Sequence, residues 1–167
     1  SSFNGGDIKL ENQLMTTPVL VESKPAAYIY NIKGGSDNPP IVEAEPCVVY
    51  NDGVLTFYCD NQRSSRQGET YDLNTNITPS WLIIFNHISK AKVIFDSSFS
   101  NAMPVSTFAW FRGLENLKEV EGISYLNTCN VETMNWMFEW CTNLTSLDIS
   151  KFNTANVKYM ARMFYEC

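Results

Sequence analysis

The chain has 167 residues, 44% hydrophobic and 18% charged, a mixture that supports a buried core and excludes a disordered tail. Its net charge of −6 is divided evenly: 3 basic and 6 acidic residues in positions 1–45, then 9 basic and 12 acidic, or −3 in each part. That balance excludes a basic nucleic-acid arm, and no apolar run approaches the roughly 20 residues that span a bilayer.

The first residues, Ser1-Ser2-Phe3-Asn4-Gly5-Gly6, lack the charged start and apolar stretch of a signal peptide. A mature secreted chain trimmed of its signal has this appearance, and so does a cytosolic one. Five of the seven prolines lie in the first 46 residues, so this part should consist of edge strands, turns and extended chain. Pro18–Glu22 and Ala27–Ile32 are strand-like, and Gly34-Gly35-Ser36-Asp37-Asn38-Pro39-Pro40 is a turn or linker. Residues 1–45 are therefore predicted to be a β-rich N-terminal extension or the end of a preceding domain.

Residues 46–104 lead from there toward the C-terminal part. Cys47–Tyr50 and Val54–Cys59 flank Asn51-Asp52-Gly53, a strong hairpin signal. Cys47 and Cys59 would lie near each other at its open end, as a disulfide or as two packed thiols. Thr78-Pro79-Ser80-Trp81 starts a helix, with Thr78 as cap and Pro79 at the first position. Trp81, Ile84, Phe85 and Ile88 continue it at helical spacing, and Lys92–Phe95 is a strand.

Residues 105–167 repeat themselves. Leu126–Cys141 and Phe152–Cys167 are 26 positions apart and agree at 8 of 16 positions: Asn, Thr, Asn, Val, Met, Met, Phe and Cys. A weaker copy precedes them at a shift of 27, with Phe99, Trp110, Phe111 and Leu114 in the places of Leu126, Met137, Phe138 and Cys141. Val157, Met160, Met163, Phe164 and Cys167 make one stripe on a helix, which Asn156 or Thr154 can cap. Leu144–Ser150 alternates like a half-buried strand. One short strand and one short helix per unit cannot bury their apolar sides alone, so successive units must stack into a solenoid. The expected fold class is α+β: a short leucine-rich-repeat-like β/α solenoid preceded by a β-rich N-terminal region.

These residues resemble the 26-residue leucine-rich-type repeats of BspA-type bacterial surface proteins, a repeat also met in Mycoplasma-type lipoproteins and surface proteins of unknown function. The family unit reads roughly L-x-x-L-D-L-S-x-F-x-T-S-N-V-x-x-M-x-x-M-F-x-x-C; this chain has LTSLDISKFNTANVKYMARMFYEC. The stretches LTFYCDN, YDLN, WLIIFN, KVIFDSSF and WFRGLENLKEVEGI resemble the lead-in that often precedes such repeats. The resemblance covers about residues 47–167. It implies a leucine-rich-type fold, a bacterial cell-surface or secreted location, adhesion or host interaction for some members, and no catalytic residues. The Cys47/Cys59 pair is not part of the pattern.

On the predicted helix, Trp136 and Trp140 lie at about 140° and 180° from Val131, while the apolar stripe centres near 300°. They point outward, where the next unit has Arg162 and Glu166. Aromatic and arginine side chains favour interfaces, so Trp136, Trp140, Tyr159 and Arg162 form a candidate patch for a protein or glycan ligand, a host extracellular one included. The other reading is that residues 1–45 or a loop cover them. Glu121 and Asp148 project from the outer strand face, either for a partner, for a hard cation, or simply solvated. Cys141 and Cys167 share a repeat position but are expected to be buried thiols, since neighbouring helices lie too far apart for a bridge. Cys129, in the loop before the helix, is the candidate exposed thiol.

His87 is the single histidine and lies on an apolar helix, so neither a zinc site nor a catalytic base has support. No cofactor motif occurs. The alternative to a binding module is a spacer or assembly module with no ligand of its own. The chain stops at Cys167 without a capping unit, which predicts either continuation of the natural protein or self-association through the open solenoid end.

Overall fold

The structure, a computed structural model, describes residues 44–73, 77–85 and 91–167. The strands expected at residues 18–22 and 27–32, the turn at 34–40, and His87 and Ile88 on the predicted helix lie outside the described residues.

Strands β1 (Glu45–Asn51) and β2 (Val54–Asp60) form the expected antiparallel hairpin, with Asn51 opposite Val54. Asp52 and Gly53 have φ of 44° and 80°, the paired left-handed conformation that two-residue hairpins require and that Asp-Gly supplies. Strand β3 (Glu69–Asp72) pairs antiparallel with β1. After helix α1 (Leu82–Phe85), strand β4 (Ala91–Phe95) runs parallel to β2, and β5 (Leu117–Glu121) parallel to β4. The result is one mixed sheet in the order β3-β1-β2-β4-β5.

One face of this sheet carries the core. Phe57 and Phe95 stack at 4.5 Å, Phe57 and Trp110 at 5.2 Å, and Phe99 and Phe111 close the cluster edge-on to Phe57. Each ring is buried, a contribution of about 1.5–3 kcal/mol apiece. Asp96 caps the 3₁₀ turn Ser97–Asn101 by accepting from the Ser98 N–H. The Ser98 hydroxyl, and after it this N–H bond, hold its carboxyl below the usual carboxylate range. After β5 the chain turns at Gly122, φ 66°, where a Cβ would sit 2.2 Å from the Phe95 carbonyl oxygen.

The recurring segments differ from the predicted helices. No α-helix forms between residues 131 and 141 or between 157 and 167; both are successions of tight turns. Nor does a strand form at 144–150. The main-chain N–H groups alternate in destination. Met137, Glu139 and Cys141 donate three residues back, to Met134, Trp136 and Phe138, while Met134, Trp136, Phe138 and Trp140 donate across to Tyr159, Ala161, Met163 and Tyr165. One segment earlier, Thr107, Ala109, Phe111 and Gly113 donate in the same way to Thr133, Asn135, Met137 and Glu139. Three segments, 105–114, 132–141 and 158–167, thus lie side by side in parallel, with Ser106, Thr133 and Tyr159 bridged in one row.

The turns need left-handed residues four apart: Ala109 and Gly113, then Trp136 and Trp140, then Arg162 and Glu166, all with φ between 54° and 76°. An α-helix cannot contain them. The apolar stripe read as helical is instead one side of these turns, buried in residues 131–141, with Phe138 tilted against Phe111 at 5.1 Å and stacked on Phe164 at 5.5 Å. The shared Asn and Thr residues are also explained. Asn127 and Asn153 accept from the N–H two residues on, Thr128 Oγ1 donates to the Asn153 carbonyl and accepts its N–H, and Asn156 Nδ2 donates to the Cys129 carbonyl.

Candidate functional site

The left-handed turns place Trp136 and Trp140 outside the core, on the side the sequence predicts although by a different backbone. Trp136 is half-buried, its ring 5.0 Å from Phe108, and Trp140 is 42% exposed. Between them lies Arg112, its guanidinium 4.6 Å from the Trp136 ring and 5.3 Å from the Trp140 ring. Such cation–π contacts contribute roughly 0.5–1 kcal/mol each where water has access.

Arg112 is anchored from below. Its Nε donates to Glu139 Oε2 at 2.6 Å, and Arg162 Nη1 reaches Glu139 Oε1 at 3.4 Å. The Glu139 side chain is completely buried, so both guanidinium partners are needed to offset its desolvation. Arg112 and Glu139 occupy the same place in successive segments, 27 residues apart. Opposite charges at one repeat position were the available signal for this pair, which the reading of outward residues alone missed.

Beside this cluster is a concavity of roughly 520 Å³, lined by Val105, Phe108, Glu132, Thr133, Asn135 and Tyr159. Tyr159 is 61% exposed. Asn135 Oδ1 accepts from the Ala161 N–H at 2.6 Å, which fixes its amide, and Glu132 pairs with Lys158 at 3.0 Å. The structure therefore brings Trp136, Trp140 and Arg162 together around Arg112 and Glu139, and sets Tyr159 in the adjoining groove.

Glu121 and Asp148 are not brought together in this way. Glu121 pairs with Lys92 at 2.6 Å. Asp148 accepts from the Ser150 N–H at 3.0 Å, and that bond with the Ser150 hydroxyl holds its carboxyl below the usual range. Among the described residues, no group of three or more His, Cys, Asp or Glu could hold a metal ion.

Cys47 and Cys59 are buried free thiols. The hairpin register sets Cys47 opposite Tyr58 and Cys59 opposite Pro46. The two are one step out of line and project to opposite faces of the sheet. Burial raises both thiols, Cys59 to about 12. Cys141 and Cys167 are also free, and each donates its S–H to the carbonyl of the preceding segment's phenylalanine, Phe111 at 3.1 Å and Phe138 at 3.0 Å. Cys129 is half-buried, with Sγ 3.6 Å from Asn130 Oδ1.

The structure is thus a mixed sheet that leads into stacked turn segments with an outward aromatic row. The family described as "Mycoplasma protein of unknown function, DUF285" matches residues 83–167, just over half of the chain, and the chain belongs to that family. No curated protein and no solved structure gives a significant match. No helix among the described residues is long and apolar enough to cross a membrane.

Proposed function

We propose that this chain is a non-catalytic binding module of a bacterial cell-surface or secreted protein, with 26-residue repeats of the BspA type stacked as a short solenoid. Its ligand is a protein or a glycan, held at the groove and the aromatic row beside it. The observation that carries this reading is the exposure of Tyr159 (61%) in a concavity with both apolar and hydrogen-bonding lining, with Trp140 (42% exposed) in the aromatic row beside it. Val105 and Phe108 offer apolar surface, while Glu132, Thr133 and Asn135 offer polar groups. Aromatic rings with a few fixed polar groups suit a sugar face or a peptide side chain.

The test is retention of extracellular-matrix proteins and glycans on the immobilised chain, compared with Tyr159→Ala and Trp140→Gly. Glycine is the informative replacement at Trp140, because Gly113 already fills the equivalent left-handed place. The ring goes and the backbone keeps its conformation. Retention that falls at least tenfold in both variants, with unchanged thermal unfolding, supports the reading. A chain that retains nothing, or variants that retain as much as the parent, would favour a spacer without a ligand.

A further inference from the structure

The hairpin has a second face. Leu55 and Phe57 point into the core, so Val54, Thr56 and Tyr58 lie on the opposite side, beside their cross-strand partners Asn51, Val49 and Cys47. After β2 the chain doubles back over this side, and the Arg66 guanidinium lies 3.3 Å over the Tyr58 ring. The 3₁₀ turn Arg63–Ser65 is held by the Ser65 N–H and hydroxyl, which donate to the Gln62 carbonyl at 3.0 and 2.9 Å. The Gln62 N–H donates to Asp60 Oδ1 at 2.9 Å. Gly68, φ 113°, then passes so close to β1 that a Cβ would sit 2.2 Å from the Tyr50 carbonyl oxygen. The returning segment is thus fixed at both ends. Between it and the strands is a concavity of roughly 460 Å³, of a size that takes a small molecule.

Its lining is polar without an unmatched charge. Asn51, Gln62 and Gln67 bring carboxamides and Thr56 a hydroxyl. Among the described residues, none of these four side chains makes a hydrogen bond. Arg66 is the one charged residue of the lining, and its Nη2 is paired with Asp60. Among the described residues its buried Nε has no hydrogen-bond partner, so the guanidinium keeps a donor for an oxygen atom. The neighbouring Arg63 is matched in the same way by Asp72.

These groups select among ligands. A phosphate or carboxylate would meet no free cation. An extended peptide would meet no free strand edge, since β1 lies between β3 and β2, and β2 between β1 and β4. A carboxamide offers a donor and an acceptor in one plane, which two neighbouring ring hydroxyls of a sugar can answer. Val49 and Val54 supply apolar surface for the C–H face of such a ring. We infer that this concavity is a binding site for a neutral saccharide. It shares no residue with the groove at Tyr159, and the inference does not rest on the function proposed above.

The experiment is an NMR titration of the isotope-labelled full chain. Maltose, lactose and N-acetylglucosamine are the neutral probes, glucuronate the charged one, and N-acetyl-triglycine amide the uncharged peptide. The expected result is a saturable shift of the side-chain amide signals of Asn51, Gln62 and Gln67 with at least one neutral sugar. Glucuronate and the peptide should bind at least tenfold more weakly, and the signals of Asn135 and Trp140 should not move. Gln62→Leu combined with Gln67→Leu, both at exposed sites, should weaken the sugar at least tenfold and leave the rest of the spectrum in place. No shift of the three amides with any of the sugars would overturn the inference. So would an equal response to glucuronate or to the peptide, or undiminished binding by the double variant. Shifts at Asn135 and Trp140 in place of those at the three amides would also overturn it, while supporting the groove at Tyr159 as the sugar site.

Discussion

Residues 126–141 and 152–167 share half of their side chains but not their surroundings. Met134 and Phe138 are fully buried, whereas Met160 and Phe164 are 45% and 41% exposed. Cys141 is buried and Cys167 exposed. The local turns are the same, with left-handed residues at the same two places. Half-identical sequences thus yield the same turns, with different residues in the left-handed places, while burial depends on which neighbours lie on either side. Repeat stability is of this nearest-neighbour kind.

The sharpest way to break that comparison is to remove the same ring twice. Phe138→Ala should cost about 3–5 kcal/mol, and Phe164→Ala roughly half that or less, as one face of its ring is open; urea unfolding of both variants measures the difference. Equal losses would mean that the outer segment is covered in solution.

A smaller effect is expected at the ion cluster. Arg112→Met leaves Glu139 buried with Arg162 as its remaining partner, at about 3 kcal/mol. Arg162→Met should cost roughly 1 kcal/mol, since its contact is longer and its side chain is 61% exposed. Thermal unfolding of the two variants tests the ranking.

The thiols sharpen the contrast through pH. Burial raises both Cys141 and Cys167 above the ordinary value of 9.0. A thiol whose folded value is raised contributes stability that is fully present below 9.0 and lost as pH rises through the folded value. Cys141→Ala should therefore flatten the fall in unfolding temperature above pH 9 more than Cys167→Ala does. In the folded chain a thiol reagent should modify Cys167 before Cys141.

The smallest difference concerns the shared threonines. Thr128→Val removes hydrogen bonds to both the N–H and the carbonyl of Asn153, about 1 kcal/mol. Thr154→Val, at an exposed site, should change denaturant stability by less than about 0.5 kcal/mol.

Much of this arrangement was legible from the residues. Asp52-Gly53 predicts its hairpin because few other dipeptides accept two left-handed conformations. The agreement of Leu126–Cys141 with Phe152–Cys167 singles out the residues that contact one another. The helix was misread for a physical reason: inward residues spaced three and four apart arise from successive tight turns as well as from a 3.6-residue helix. Only the left-handed residues distinguish the two, and Trp136, Trp140, Arg162 and Glu166 do not advertise that conformation as glycine does. In the candidate site, the outward tryptophans were legible and Tyr159 and Arg162 with them. Arg112 and Phe108 were not, because they come from the weaker copy, where few side chains match. The carboxylate of Glu139 was hidden by its charge, which suggests a surface until its two arginines are seen.

The Trp81 indole Nε1, which donates to the Trp110 carbonyl at 2.9 Å at the sheet-side end of the stack, gives the stack a fixed origin. Any array built on this plan is counted outward from one tryptophan, and units added beyond the stacked segments would leave the five-stranded sheet and its aromatic cluster untouched. The stack can then lengthen without redesign of its base, whereas an insertion that displaced Trp81 would leave the buried Trp110 carbonyl without its donor.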